Sequence, residues 1–130
     1  MIEDTSFVID ILRADDDALT FLELLEKEQR PEKVASITVL ELYEGIERSS
    51  ASDDRRQSIL NVLETKHVIA ADLAVMRRAG RLSGELIADG AQIDREDCII
   101  AATALLVDEP VVTRNTAHFE RIDGLDVRTY

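Results

Sequence analysis

Apolar residues in this chain fall into short β-branched runs that alternate with longer stretches of helical spacing. Met1 to Asp4 reads as a first strand, and Ser6 to Arg13 as the helix after it. Asp15, Asp16 and Asp17 open a second helix, since the dipole favours acids in a first turn, and Leu19, Leu22 and Leu25 share one of its faces. Val34 to Ile37 predicts a strand, and Thr38 to about Arg48 a helix. A polar break from Ser49 to Asp53 precedes a helix over Asp54 to Thr65, striped by Ile59, Leu60 and Leu63. Val68 to Ala70 is the next strand. Asp72 then caps a long amphipathic helix whose Val75, Ala79, Leu82 and Leu86 recur at helical spacing until Gly90 stops it. Asp94 opens a helix that is apolar all round from Cys98 to Val107, which predicts burial in the middle of the domain. Its length and its alanines favour helix over strand. Val111 to Thr113 and Val127 to Thr129 are the last strands. Strands alternating with helices predict one α/β domain over residues 1–130, a mainly parallel central sheet flanked by helices.

Composition narrows the class. The chain has 130 residues, 45% of them hydrophobic, which suits a single folded domain. Cys98 is the one cysteine, so an internal disulfide and a cysteine-built zinc site are excluded. The longest apolar stretch, Cys98 to Val107, is too short to cross a bilayer and no signal precedes it, so no membrane association and a cytoplasmic location are expected. Charge changes the picture more. Fifteen basic residues face 27 acidic ones for a net charge of −12, and only Lys27, Lys33 and Lys66 are lysines. Such a field opposes generic binding to a phosphate backbone. It suits a very salty cytoplasm, where the screening length falls to about 3 Å near 1 M, and so predicts a halophilic source.

Ligands of a parallel sheet sit outside the carboxyl ends of its strands, where helices begin. Asp4 closes the first strand, Glu41 lies early in the helix after Val34 to Ile37, and Asp97 lies in the first turn of the apolar helix. Asn115 follows the strand that ends at Thr113. The spacings Thr38-x-x-Glu41 and Asp94-x-x-Asp97 are also those of capping boxes, so local pattern alone leaves both readings open. Carboxylates that converge at one sheet edge repel each other unless a cation neutralises them. A hard divalent ion with oxygen ligands meets that need, and it activates water and stabilises charge on a phosphoryl oxygen.

Four blocks occur in order: Asp4-Thr5-Ser6-Phe7-Val8-Ile9-Asp10, Ser36-Ile37-Thr38-Val39-Leu40-Glu41-Leu42-Tyr43-Glu44-Gly45, Asp97-Cys98-Ile99-Ile100-Ala101-Ala102-Thr103-Ala104, and Val112-Thr113-Arg114-Asn115-Thr116 followed by Phe119-Glu120-Arg121-Ile122. Together they resemble PIN-domain ribonucleases of the VapC toxin type over nearly the whole chain, most weakly between Ser49 and Lys66. The resemblance implies a type II toxin that hydrolyses RNA with metal-activated water. It implies Asp4, Glu41 and Asp97 as the catalytic acids around Mg²⁺, with Mn²⁺ able to substitute. Asn115 stands where some relatives have an acid, offering an oxygen but no charge, and Asp94 is a weaker candidate ligand. Thr5, Ser6 and Thr113 would orient the acids, and Arg114 and Arg13 would meet RNA. A VapB-like antitoxin and a homodimer are implied as well.

Some residues stand apart from that pattern. Relatives usually carry an apolar residue where Glu3 stands, so in a central strand Glu3 needs a partner or an exit to solvent. His118 reads as a solvated loop histidine, and Cys98 as a buried, inert thiol. A phospho-accepting receiver domain would need a lysine after the last core strand, and none follows Lys66. A non-catalytic interaction module, its carboxylates serving only as helix caps, is the alternative that metal-dependent RNA cleavage separates.

Overall fold

The computed structural model describes residues 1–49 and 52–130. Its strands are β1 (Ile2–Glu3), β2 (Lys33–Ala35), β3 (His67–Ile69), β4 (Val111–Val112) and β5 (Val127–Arg128). Its helices are α1 (Thr5–Leu12), α2 (Asp16–Lys27), α3 (Ser36–Arg48), α4 (Asp53–Glu64), α5 (Leu73–Ala88), α6 (Arg95–Val107) and α7 (Thr116–Phe119). All strand pairs are parallel, in the order β3-β2-β1-β4-β5. The chain winds outward from β1 to β3, crosses back through α5 and α6, and resumes at β4. The reversal falls between β1 and β4, which is where a parallel sheet opens a crevice for ligands.

Burial on both faces explains why the inner strands β1, β2 and β4 are rich in apolar residues. Ile2, Val34, Ala35, Val111 and Val112 are all fully buried. α5 presents Val75, Ala79, Leu82 and Leu86 to the core, as its spacing predicts. Gly90, at φ +68°, takes the left-handed turn that ends this helix. α6 lies at the centre, with Cys98 and Ile100 through Ala104 buried, and burial raises the Cys98 thiol pKa. Burial does not extend to Val107 as its composition predicts. The last turn of α6 runs past the packed core and leaves Leu106 and Val107 exposed.

Element boundaries shift by a residue or two from their sequence pattern, except at α7, a single turn that the pattern does not announce. Phe119, fully buried, anchors that turn. Asp15 caps α2 by accepting from the Ala18 N–H at 3.0 Å, so the acidic triplet is a helix start. Of the polar break over residues 49–53, Ser50 and Ala51 lie outside the described residues. Ser52 caps α4.

Glu3 finds its partner within the protein. Lys66 Nζ, itself buried, lies 2.7 Å from Glu3 Oε2 and 2.8 Å from Glu32 Oε1. The Glu3 contact is an ion pair without the alignment of a hydrogen bond, and Glu3 Oε1 has no partner. Burial pushes the Glu3 pKa up to about 7 against the pull of Lys66. The Lys66 pKa is raised too: burial opposes its charge, but Glu3 and Glu32 outweigh that.

Candidate metal centre

Asp4 leaves β1 at the crevice and caps α1, and its extended backbone turns the carboxylate back over the helix start. Its Oδ1 accepts from the Phe7 N–H at 2.9 Å and lies 2.8 Å from the Ser6 hydroxyl. Thr113, fully buried at the end of β4, donates its hydroxyl to Asp4 Oδ2. The same Thr113 oxygen accepts from the Asn115 N–H at 2.9 Å, so one hydroxyl ties the ends of β1 and β4 together. Burial raises the Asp4 pKa, the bonds from Thr113, Phe7 and Ser6 lower it, and the Asp97 charge raises it again.

Glu41 projects from α3 and accepts from Thr5 Oγ1 at 2.7 Å. Thr38 Oγ1 lies 3.1 Å from the same hydroxyl. Thr5 has one proton to give, so with Glu41 as its acceptor Thr38 donates to Thr5. The Thr38–Glu41 spacing is therefore not a capping box. α3 starts earlier, at Ser36, and Ala35 supplies no side-chain cap. Burial raises the Glu41 pKa, and the charges of Asp97, Glu96 and Asp4 raise it further.

Asp97 is half-buried in the first turn of α6, and it does not cap the helix either. Its Oδ2 lies 2.7 Å from His118 Nδ1. Asp94 stands at the N-cap position without making a cap hydrogen bond, so its carboxylate is left for other work. Burial raises the Asp97 pKa, His118 lowers it, and Asp94 and Glu96 raise it. One oxygen each from Asp94 and Asp97 and one ring nitrogen of His118 all lie within 4.8 Å of one another. Asp4 and Glu41 feel the charge of Asp97 but stand outside this tightest set.

His118 is the residue that sequence reasoning passed over. It is bound to Asp97 rather than solvated in a loop, and the Asn115 side-chain amide lies 3.0 Å from the same Nδ1. An ionised Asp97 only accepts, so Nδ1 carries the proton toward it, and the Asn115 amide then turns its oxygen to the ring. The signal was the three-residue spacing of Asn115 and His118 just past a strand end, which places both on one side of a helical turn.

The arginines divide. Arg114 is held by Asp15 at 3.0 Å and Asp10 at 3.7 Å, and it stacks 4.7 Å over the Tyr130 ring. Arg13, together with Arg55, lines a groove of about 170 Å³ that runs past Glu41 between α1, α3 and α4. Carboxylates that raise one another's pKa store repulsion that a cation would relieve. An oxygen-rich donor set with one imidazole fits a divalent ion there.

The chain is similar to known proteins over most of its length. A model of the PIN domain matches residues 1–125. Ribonuclease VapC1 of Methanocaldococcus jannaschii is 28% identical over 100 residues, 76% of this chain and 70% of its own length. The tRNA(fMet)-specific endonuclease VapC of Shigella flexneri is 30% identical over 92 residues, 71% of this chain and 70% of its own. Among solved structures, VapBC2 from Rickettsia felis bound to a promoter DNA fragment superposes with a TM-score of 0.89 at 25% identity, covering 99% of this chain and 97% of that one.

Proposed function

The chain belongs to the PIN-domain family, among its VapC-type ribonuclease toxins, and we propose that it cleaves RNA at Asp4, Glu41 and Asp97 with Mg²⁺, for which Mn²⁺ substitutes. The observation that carries this reading is the set of hydrogen bonds that orients Asp4, Glu41 and Asp97 at the helix starts beside the crevice and leaves Glu41 and Asp97 uncommitted as caps, with the Asp97 charge felt at both Asp4 and Glu41. When bound, a divalent ion supplies positive charge against the phosphoryl oxygens and makes water more acidic.

The chain's own residues do the rest. Thr113, Ser6 and the Phe7 amide hold Asp4 at one angle, and Thr5 does the same for Glu41. Arg13 and Arg55 flank the Glu41 groove and offer phosphate contacts on a surface that otherwise repels RNA. The alternative of a non-catalytic module with capping carboxylates loses ground, because neither Glu41 nor Asp97 caps its helix.

A VapB-like antitoxin is the natural restraint, covering the crevice with an Arg or Lys that meets the acids. Supporting it, the R. felis neighbour is a VapBC assembly. A homodimer and a cytoplasmic site of action complete the proposal. Among the described residues no helix is long and apolar enough to cross a membrane. The test is cleavage by the purified chain of tRNA(fMet), for which the S. flexneri relative is named, and of total RNA. Cleavage is expected with Mg²⁺ or Mn²⁺, none with chelator, and none by Asp4→Asn or Asp97→Asn protein that melts like wild type. Metal-independent cleavage, or full activity of both variants, overturns the assignment.

A further inference from the structure

The half of the site built by α6 and α7 differs chemically from the Asp4–Glu41 half. An acid-only site offers an ion nothing but oxygen. Here a nitrogen is part of the tightest cluster of possible ligand atoms among the described residues. Its backbone is well fixed, because α7 is pinned by the fully buried Phe119 and the buried Ile122 follows it. The imidazole is therefore presented from a fixed turn rather than a free loop.

Distances bear on what that nitrogen does. Ligand bonds of about 2.1 Å put adjacent atoms of an octahedral shell about 3 Å apart and opposite ones about 4.2 Å apart. His118 Nδ1 and Asp97 Oδ2 stand 2.7 Å apart, and one ring nitrogen of His118, one oxygen of Asp97 and one of Asp94 all lie within 4.8 Å of one another. The three atoms thus span about one coordination shell. An ion that binds Asp97 through this oxygen meets the imidazole at neighbouring-ligand distance and must either take it as a ligand or expel it. The Asp94 carboxylate is not spent on a cap, and Asn115 brings an amide to the same nitrogen.

We infer that His118, with its ring proton moved from Nδ1 to Nε2, is a direct nitrogen ligand of the ion bound at Asp97 and Asp94, which makes this site selective for Mn²⁺ over Mg²⁺. The inference rests on the ion-dependent nuclease reading above and adds to it a ligand and a metal preference. Mg²⁺ favours oxygen ligands and gives up its water reluctantly, whereas a first-row transition ion accepts imidazole readily.

Pulsed electron paramagnetic resonance of Mn²⁺ bound to the full chain reads the ligand directly, with no substrate present. Wild type should show the modulation of a coordinated imidazole nitrogen, and growth on histidine carrying heavy nitrogen should alter that modulation. The chain has two histidines, so His118→Gln assigns the signal by abolishing it while His67→Gln keeps it. Titration should show Mn²⁺ bound about tenfold or more tightly than Mg²⁺ by wild type, and that preference lost in His118→Gln. Bound Mn²⁺ without nitrogen modulation in wild type overturns the inference while the acidic site stands. If Asp97→Asn binds Mn²⁺ as wild type does, the acidic site and the inference fall together.

Discussion

Lys66→Met should destabilise this fold by about 3–5 kcal/mol at pH 8, because it leaves the Glu3 carboxylate buried without a counterion. Glu3 is fully buried in the central strand and Lys66 Nζ sits 2.7 Å from it. At an effective dielectric of about 20, two charges at that separation attract by about 6 kcal/mol before desolvation is counted. For a domain of this size the expected loss lowers the melting temperature by about 10–20 °C. The sign of the pH dependence follows from Glu3. Its pKa is raised in the folded protein, from 4.5 to about 7. Its contribution is therefore fully present below pH 4.5 and is lost as pH rises through about 7. Without Lys66 nothing opposes the effect of burial, so the variant's Glu3 pKa rises further and the defect shrinks toward pH 5. Urea unfolding of both proteins at pH 5, 7 and 8 measures it. Glu3→Leu/Lys66→Met, which removes both charges, should recover most of the loss. A single variant that loses under about 1 kcal/mol at pH 8, or loses the same at pH 5, refutes the reasoning.

Thr113→Val keeps the shape at the end of β4 and removes the proton donated to Asp4 Oδ2. Metal affinity and RNA cleavage should each fall about 10–100-fold, read by calorimetry and by a cleavage time course, with the melting temperature within a few degrees of wild type. The net charge of −12 should make stability rise with KCl from about 0.1 to 2 M, as screening relieves self-repulsion, and a flat unfolding midpoint would reject that.

Most of the α/β architecture was legible because the strands are short β-branched runs, buried in β1, β4 and most of β2, and each long helix carries its own periodic stripe. α5 shows this best, since all four of its predicted core residues are buried. α7 was not legible, because four residues hold no period and what fixes them is Phe119 packing against distant elements. Partnerships across the chain escaped for the same reason. The need of Glu3 for a partner was readable, but Lys66 is brought beside it only by the parallel pairing of β1, β2 and β3.

At the site, spacing singled out Asp4, Glu41 and Asp97 but could not say whether they cap helices, since a helix cap and a metal ligand both favour a carboxylate in a first turn. The hydrogen bonds separate these roles. Asp4 serves as a cap with one oxygen and accepts from Thr113 with the other, so its carboxylate is fixed at two ends. Asp97 makes no cap and meets His118, 21 residues away, across the α6–α7 junction. Arg114, whose place beside Asn115 suggested a phosphate contact, is met by Asp10, Asp15 and the Tyr130 ring. In so acidic a chain an exposed arginine has carboxylates at hand on most sides. Arg13 and Arg55 stand instead beside Glu41 among Ile9, Leu12 and Ile59, and that setting is what favours them as the phosphate contacts proposed above.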